Sequence, residues 1–192
     1  AGQLREAPQP TYKGGDAISL FTKIKISGDY IRSMAQNGKM GSALYAVEVK
    51  YPSGSVLESP NNEDFAAITS AEKMLAKCRS NWEQMNIIPT ETIPCGDKTA
   101  EPLARGLKSW ADMFAPRQLL GFGVLVEELR ALREQIISAE GVEEGEAVLH
   151  LLSVVVDKFL NYNSVLSSWH APRSIIRSVF DRHDLAFKTT FA

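Results

Sequence analysis

Between Pro116 and Ile137 lies the pattern that most limits what this chain can fold into. Leu119, Phe122, Val126, Leu129, Leu132 and Ile136 recur at steps of three and four, and Glu127, Glu128, Arg130, Arg133 and Glu134 fill positions between them. Apolar residues at that period line one side of an α-helix, because about 3.6 residues complete a turn. Pro116 stands where the helix would begin. A first-turn proline loses nothing by lacking an N–H, since that donor has no partner inside the helix. Gly121 and Gly123 each weaken a helix by ~1 kcal/mol relative to alanine, so their use there is close packing against another element. The whole stretch Ser109–Ile137 reads as a core helix with a capped start.

The rest of the chain supplies what that helix packs on. Ala147 to Leu160 is apolar on most sides, the pattern of a buried helix. The acidic run Glu140 to Glu146 reads as a hairpin loop joining it, antiparallel, to the central helix as an αα-hairpin. Upstream, Asn61 and Asn62 are candidate N-caps, followed by Glu63 and Asp64 where the helix dipole favours acids. Phe65, Ile68, Ala71, Leu75, Cys78 and Trp82 then continue at helical spacing to about Met85. Asn86 to Arg105, with Pro89, Pro94, Gly96 and Pro102, reads as an extended connector.

Nearer the N-terminus the period changes to two. Ile18, Leu20, Ile24 and Ile26 alternate with Ser19, Lys23 and Lys25, as on a strand with one buried face. Ser27 to Gly41 is a loop or short helical turn. Ala43 to Tyr51 alternates again, and Pro52-Ser53-Gly54 turns it back into Gly54–Leu57. At the other end Pro172 opens a short helix to about Arg182, before a strand-like Leu185 to Phe191. The expected fold is α+β and predominantly helical: an αα-hairpin and further helices packed with a small antiparallel sheet. It divides into an arm over 1–16, a β-rich lobe over 17–60 and a helical lobe over 61–192, together one domain.

A net charge of −2 singles out neither nucleic acid nor membrane as a partner. The distribution is less even: residues 1–50 carry seven Lys/Arg against four acids, 51–150 nine against sixteen, and 151–192 five against three. Mildly basic ends around an acidic middle form a basic face only if the ends meet. Cys78 and Cys95 make neither a CxxC pair nor a zinc framework; they fit a reduced, cytoplasmic protein, with a disulfide between them as the alternative. No apolar run approaches the ~20 residues that span a bilayer. The start AGQLREAPQP lacks a signal-peptide core. It also lacks an initiator Met, and the chain stops at TTFA; the expectation is a region excised from a longer protein, with removal of the Met as the alternative account of the start.

Catalytic sets are absent from the sequence: no glycine-rich phosphate loop, no G-x-S-x-G, no H-E-x-x-H and no DPPY-like tetrapeptide. His150, His170 and His183 are scattered, and Glu127/Glu128 and Glu143/Glu144 fall on faces or loops expected to be solvated. A basic group does stand out. On a helix Arg173 and Arg177 would share one face, with Trp169 before them and Arg182, His183 and Lys188 after. Cations interleaved with an aromatic suit phosphate contact and base stacking; a solvated face with Trp169 plugging the core fits the same residues. Lys23 and Lys25, with Lys13, Arg32 and Lys39, form a looser basic set that a solvated strand face explains as well. Arg117 follows Pro116 in a helical first turn, where the dipole opposes a cation by a few tenths of a kcal/mol. It calls for a partner, Asp112 or a bound phosphate.

Trp110-Ala111-Asp112-Met113-Phe114-Ala115-Pro116-Arg117-Gln118-Leu119-Leu120 resembles the W-x-D-L-F-T-P-R-Q-L-L segment of predicted adenine-specific DNA methylases, a family often associated with a zinc ribbon. Asp29-Tyr30-Ile31-Arg32 through Gly38-Lys39-Met40-Gly41 is similar to that family's D-Y-I-R…G-R-M-G segment. Asn161-Tyr162-Asn163-Ser164 with Trp169, Arg173, Ile176, Phe180 and Arg182 is similar to its D-x-N-S…W…R-x-x-I…F-x-R-Q segment, with His183 in place of Gln. The resemblance implies a prokaryotic parent, often of restriction-like defence, that transfers a methyl group from S-adenosylmethionine to adenine N6 in DNA. The family's cofactor-binding glycine motif, DPPY motif and zinc-ribbon cysteines are not in these 192 residues. No catalytic, cofactor or metal residue is therefore carried over. The chain looks like the region between the two halves of the methylase site, expected to recognise target DNA through Arg117, Arg173, Arg177, Arg182, Lys23 and Lys25. The rival expectation is a structural or dimerisation module that touches no DNA and packs on flanking methylase domains or a second copy.

Overall fold

The computed structural model describes residues 11–170, 173–179 and 191. Its elements run β1 (Tyr12–Lys13), β2 (Asp16–Ile18), β3 (Lys25–Ile26), α1 (Gly28–Gln36), β4 (Val47–Tyr51), β5 (Gly54–Glu58), α2 (Asn62–Gln84), α3 (Ala100–Ala104), a 3-10 turn (Trp110–Met113), α4 (Pro116–Glu140), α5 (Val142–Tyr162), β6 (Ser168–His170) and β7 (Ile175–Arg177). The expected class holds: predominantly helical α+β, with antiparallel strands only among the described residues. The sheet is three small pieces, β1-β2-β3, β4-β5 and β6-β7.

α4 is the central element, packed on one side by α2 and on the other by α5. Pro116 opens it at the first helical position, and the Gln118 side chain accepts the Ala115 N–H at 2.9 Å. Of the two helical glycines expected to serve close packing, Gly123 does and Gly121 does not. A Cβ on Gly123 would lie 2.2 Å from Trp82 Cζ3, so α2 and α4 approach only because none is there; one on Gly121 would meet Phe159 Cζ at an ordinary 3.5 Å. Trp82 Nε1 donates to Glu127 Oε1 at 3.2 Å. Glu127 is therefore not a solvated face residue but the partner of a buried indole. Arg130 reaches back to accepting carbonyls of Met85 and Asn86, at 2.6 and 2.8 Å, and closes the C-terminal end of α2 with a cation, where the dipole favours one.

At its other end α2 carries the expected cap. Asn61 Oδ1 accepts the Glu63 and Asp64 N–H groups, and Asp64 returns an acceptor to Asn61 N at 2.8 Å. Leu75 and Trp82 are buried, with Ile87, Ile88, Ala111 and Leu119 in the same core cluster. A second cluster gathers Ile93, Met113 and Leu166, and Phe114 touches both. Phe65 and Leu132 were expected inside and are exposed.

Several elements differ from expectation. Ile18–Ile26 is not one strand but a hairpin of β2 and β3: Ser19 N donates to Ile24 O, Thr22 N to Ser19 Oγ, and Lys23 takes φ +59°. A Ser/Thr side-chain turn replaces the usual glycine or proline, and it leaves Ile18, Leu20 and Ile24 exposed rather than buried, with Phe21 exposed at the tip. The stretch 86–105 is not wholly extended, since α3 interrupts it and Ile87, Ile88 and Ile93 are buried. The acidic run is not a loop. Gly141 alone makes the turn, with φ +87°, and Glu143 and Glu144 occupy the first turn of α5, stabilised by its dipole. Arg133 pairs with Glu146 across the helices, and Gly145 lets Ile137 come close. α5 is not buried all round: Val148, Leu151, Val154 and Val155 are exposed. The expected helix from Pro172 is replaced, in its described part, by β7 after Ser174 at φ +50°; two adjacent β-branched isoleucines favour the strand. The strand-like stretch expected after it lies, over 185–190, outside the described residues.

Candidate functional site

An open cleft of about 580 Å³ lies between the β4-β5 hairpin, the last turn of α5 and the β6-β7 hairpin. Strand register explains what enters it. Lys50 pairs with Ser55 across β4-β5, and Glu48 lies two residues away on the same face. Trp169 pairs with Ile176 across β6-β7. Tyr162 at the end of α5 and Arg173 complete the polar lining. Lys158 Nζ stands 4.9 Å from the centroid of the Tyr162 ring. The cleft thus combines two aromatic side chains with two cations and one carboxylate, in a volume on the scale of a small-ligand pocket.

The sequence had named Trp169 and Arg173 for this chemistry, and the structure brings them together. They do not share a helix face with Arg177, which stands at the end of β7 opposite Ser168, outside the cleft lining. Arg182 lies outside the described residues. Lys23 sits in the β2-β3 turn, and Lys25 pairs with Asp16 at 2.7 Å. Hydrogen bonding from Lys25, then from the Gly28 N–H, holds the Asp16 carboxyl below its ordinary 3.8. Lys50, Tyr162 and Glu48 were missed. The period of two in β4 would have put Glu48 and Lys50 on one face, but nothing local tied that face to Trp169.

Arg117 is half-buried, and its guanidinium stands 5.6 Å from the Phe191 ring centroid. Burial lowers its pKa. Asp112 is not its partner: Asp112 Oδ2 accepts the Lys108 and Ser109 N–H groups, both at 2.8 Å, and shapes the 3-10 turn instead. His150 is exposed on the surface of α5. His170 Nδ1 is buried and has no hydrogen-bond partner among the described residues. Cys78 is half-buried, Cys95 exposed, and both are free.

Among the described residues no three His, Cys, Asp or Glu side chains are grouped to hold a metal, and no helix is long and apolar enough to cross a membrane. No family model, curated protein or solved structure matches the chain.

Proposed function

We propose that this chain is a non-catalytic, DNA-contacting region of an adenine N6-methyltransferase. In this reading S-adenosylmethionine and the methyl-transfer chemistry belong to flanking parts of the parent protein, and these residues hold the nucleic acid. The methylase parentage draws on the segments around Asp29, Trp110 and Asn161. The observation that carries DNA contact is the convergence of Trp169 and Tyr162 with Lys50 and Arg173 on one open cleft. An aromatic platform beside cations takes an unstacked base and its phosphate, and a methylase must take its target base out of the duplex. A cytoplasmic setting is part of the proposal, supported by the two free thiols.

Fluorescence anisotropy with single-stranded and duplex oligonucleotides over a salt series tests it. Trp169→Ala should weaken single-strand binding by ~1–3 kcal/mol, the usual worth of one stacked base. Arg173→Ala and Lys50→Ala should each reduce the log–log salt slope by about one phosphate contact, roughly 0.7–0.9 in slope. Affinity and slope unchanged in all three would refute the cleft as a DNA surface.

The second reading, a structural or dimerisation module, is favoured by a different observation: the side of α5 turned away from α4 is apolar and uncovered.

A further inference from the structure

α5 buries one side against α4, through Gly145 beneath Ile137 and Phe159 beside Gly121. Its other side carries Ala147, Val148, Leu151, Val154 and Val155, all exposed, with Leu151 at 68% and Val155 at 60%. On a helix these five fall in one stripe, and His150, Ser153 and Asp157 lie to its side. Glu144 and Lys158 bound the stripe. Each is seven residues from Leu151, which on an α-helix is within about 20° of two full turns, so both point along the stripe's own direction. Both are exposed, and neither takes part in an ion pair among the described residues.

We infer that α5 pairs antiparallel with the α5 of a second copy of this chain, about a two-fold axis at Leu151. The inference rests on the second reading above, that this helix face is an assembly surface, and it commits that face to one occupant. The ground is charge complementarity. In an antiparallel pair centred on Leu151, Glu144 of each copy faces Lys158 of the other, about 21 Å of helix separates the two ion pairs, and Val148 packs toward Val154 of the other copy. A parallel pair would set Glu144 against Glu144 and Lys158 against Lys158, a like-charge arrangement that disfavours it. A two-fold contact must be self-complementary, and an apolar stripe with opposite charges at equal distances from its centre meets that condition. The contact is one helix stripe, against the ~800 Å² per partner of a standard interface, and the expected dissociation constant is on the order of micromolar.

Sedimentation equilibrium of the 192-residue chain over roughly 1–200 µM should show a monomer–dimer equilibrium. Leu151→Glu should abolish the dimer, at least ~100-fold in dissociation constant, since it buries a charge at the centre of the contact. Lys158→Glu alone should weaken it about 10-fold, and the double variant Glu144→Lys/Lys158→Glu should restore it, because the swap rebuilds both pairs. Leu151 is exposed, so an unchanged thermal melt will separate lost association from lost folding. A wild-type chain that is monomeric throughout overturns the inference. So does a dimer that survives Leu151→Glu, or one broken instead by Phe21→Ser at the exposed β2-β3 tip. A dimer broken by Leu151→Glu but not restored by the charge swap overturns the antiparallel pairing alone and leaves α5 as the assembly surface.

Discussion

Gly123→Ala sets two opposing effects against each other at one position. In an exposed helix the change would stabilise by ~1 kcal/mol, the difference in helix propensity. Here the new methyl carbon would stand 2.2, 2.4 and 2.7 Å from three atoms of the Trp82 ring. Such contacts do not exist in folded proteins, so the ring or a helix must move. The ring is not free to swing: Trp82 is 2% exposed, and its Nε1–H is held by Glu127. Displacing it adds overpacking of ~1–3 kcal/mol to a strained or lost hydrogen bond to a carboxylate, worth ~1.5–3 kcal/mol. Against the ~1 kcal/mol helix gain, the net expected loss is about 1.5–5 kcal/mol. For a chain of this size each kcal/mol moves the melting temperature by roughly 2–4 °C. Gly121→Ala is the internal control. Its methyl would meet Phe159 at 3.5 Å, an ordinary contact, so the propensity gain should survive and raise stability by ~0.5–1 kcal/mol. Urea unfolding of both variants gives the two differences directly. Equal effects of either sign would refute the claim that Gly123, and not helix propensity, sets the α2–α4 distance.

Two further outcomes follow from the caps and charges. Asn61→Ala removes the side chain that accepts two first-turn N–H groups of α2, and should cost about 1 kcal/mol by the same unfolding assay. The Asp16 carboxyl is held below 3.8 by Lys25 and the Gly28 N–H; a depressed folded pKa means its contribution is present above the unfolded value and is lost as pH falls through the folded one. Amide shifts of Gly28 and Lys25 should therefore stay native-like to below pH 3.8 and then move together, and Asp16→Asn should remove that transition.

The helical frame was legible because its signals are local. Pro116, the Leu119–Ile136 stripe and the Asn61 cap each act within one or two turns of chain. The β2-β3 hairpin was not, since Ser19 and Thr22 make its turn with side-chain hydrogen bonds and no glycine or proline marks it. α5 was legible as a helix but not in its burial: apolar periodicity states which residues avoid water and not whether this chain alone can cover them. At the cleft, Trp169 and Arg173 could be picked out by residue type. Lys50 and Tyr162 could not, because only the approach of two hairpins and a helix end brings them together. The spacing of Arg173 and Arg177 misled for a related reason. A separation of four fits one helix face, but the adjacent isoleucines between them follow the strand preference of β-branched residues.

The segment Trp110–Leu120 carries the most specific part of the resemblance to the methylase family, yet most of its side chains form the fold. Asp112 closes the 3-10 turn, Pro116 starts α4, Gln118 caps Ala115, and Leu119 is a core residue. Arg117 is the exception in charge, but its guanidinium lies against Phe191 rather than in the cleft. A half-buried guanidinium remains ionised, since its ordinary pKa is so high, and a ring face offsets part of its desolvation, by ~0.5–2 kcal/mol. That contact also ties the C-terminal end of the chain to the start of the central helix. Arg117→Ala should then lower stability by about that amount, and Phe191→Leu should reproduce the loss, with little further effect when the two are combined. DNA affinity, measured where both variants are fully folded, should stay at the wild-type value while Arg173→Ala lowers it. If Arg117→Ala weakens DNA binding and Phe191→Leu does not, the guanidinium serves a phosphate and not the ring, and the binding surface extends from the cleft to the first turn of α4.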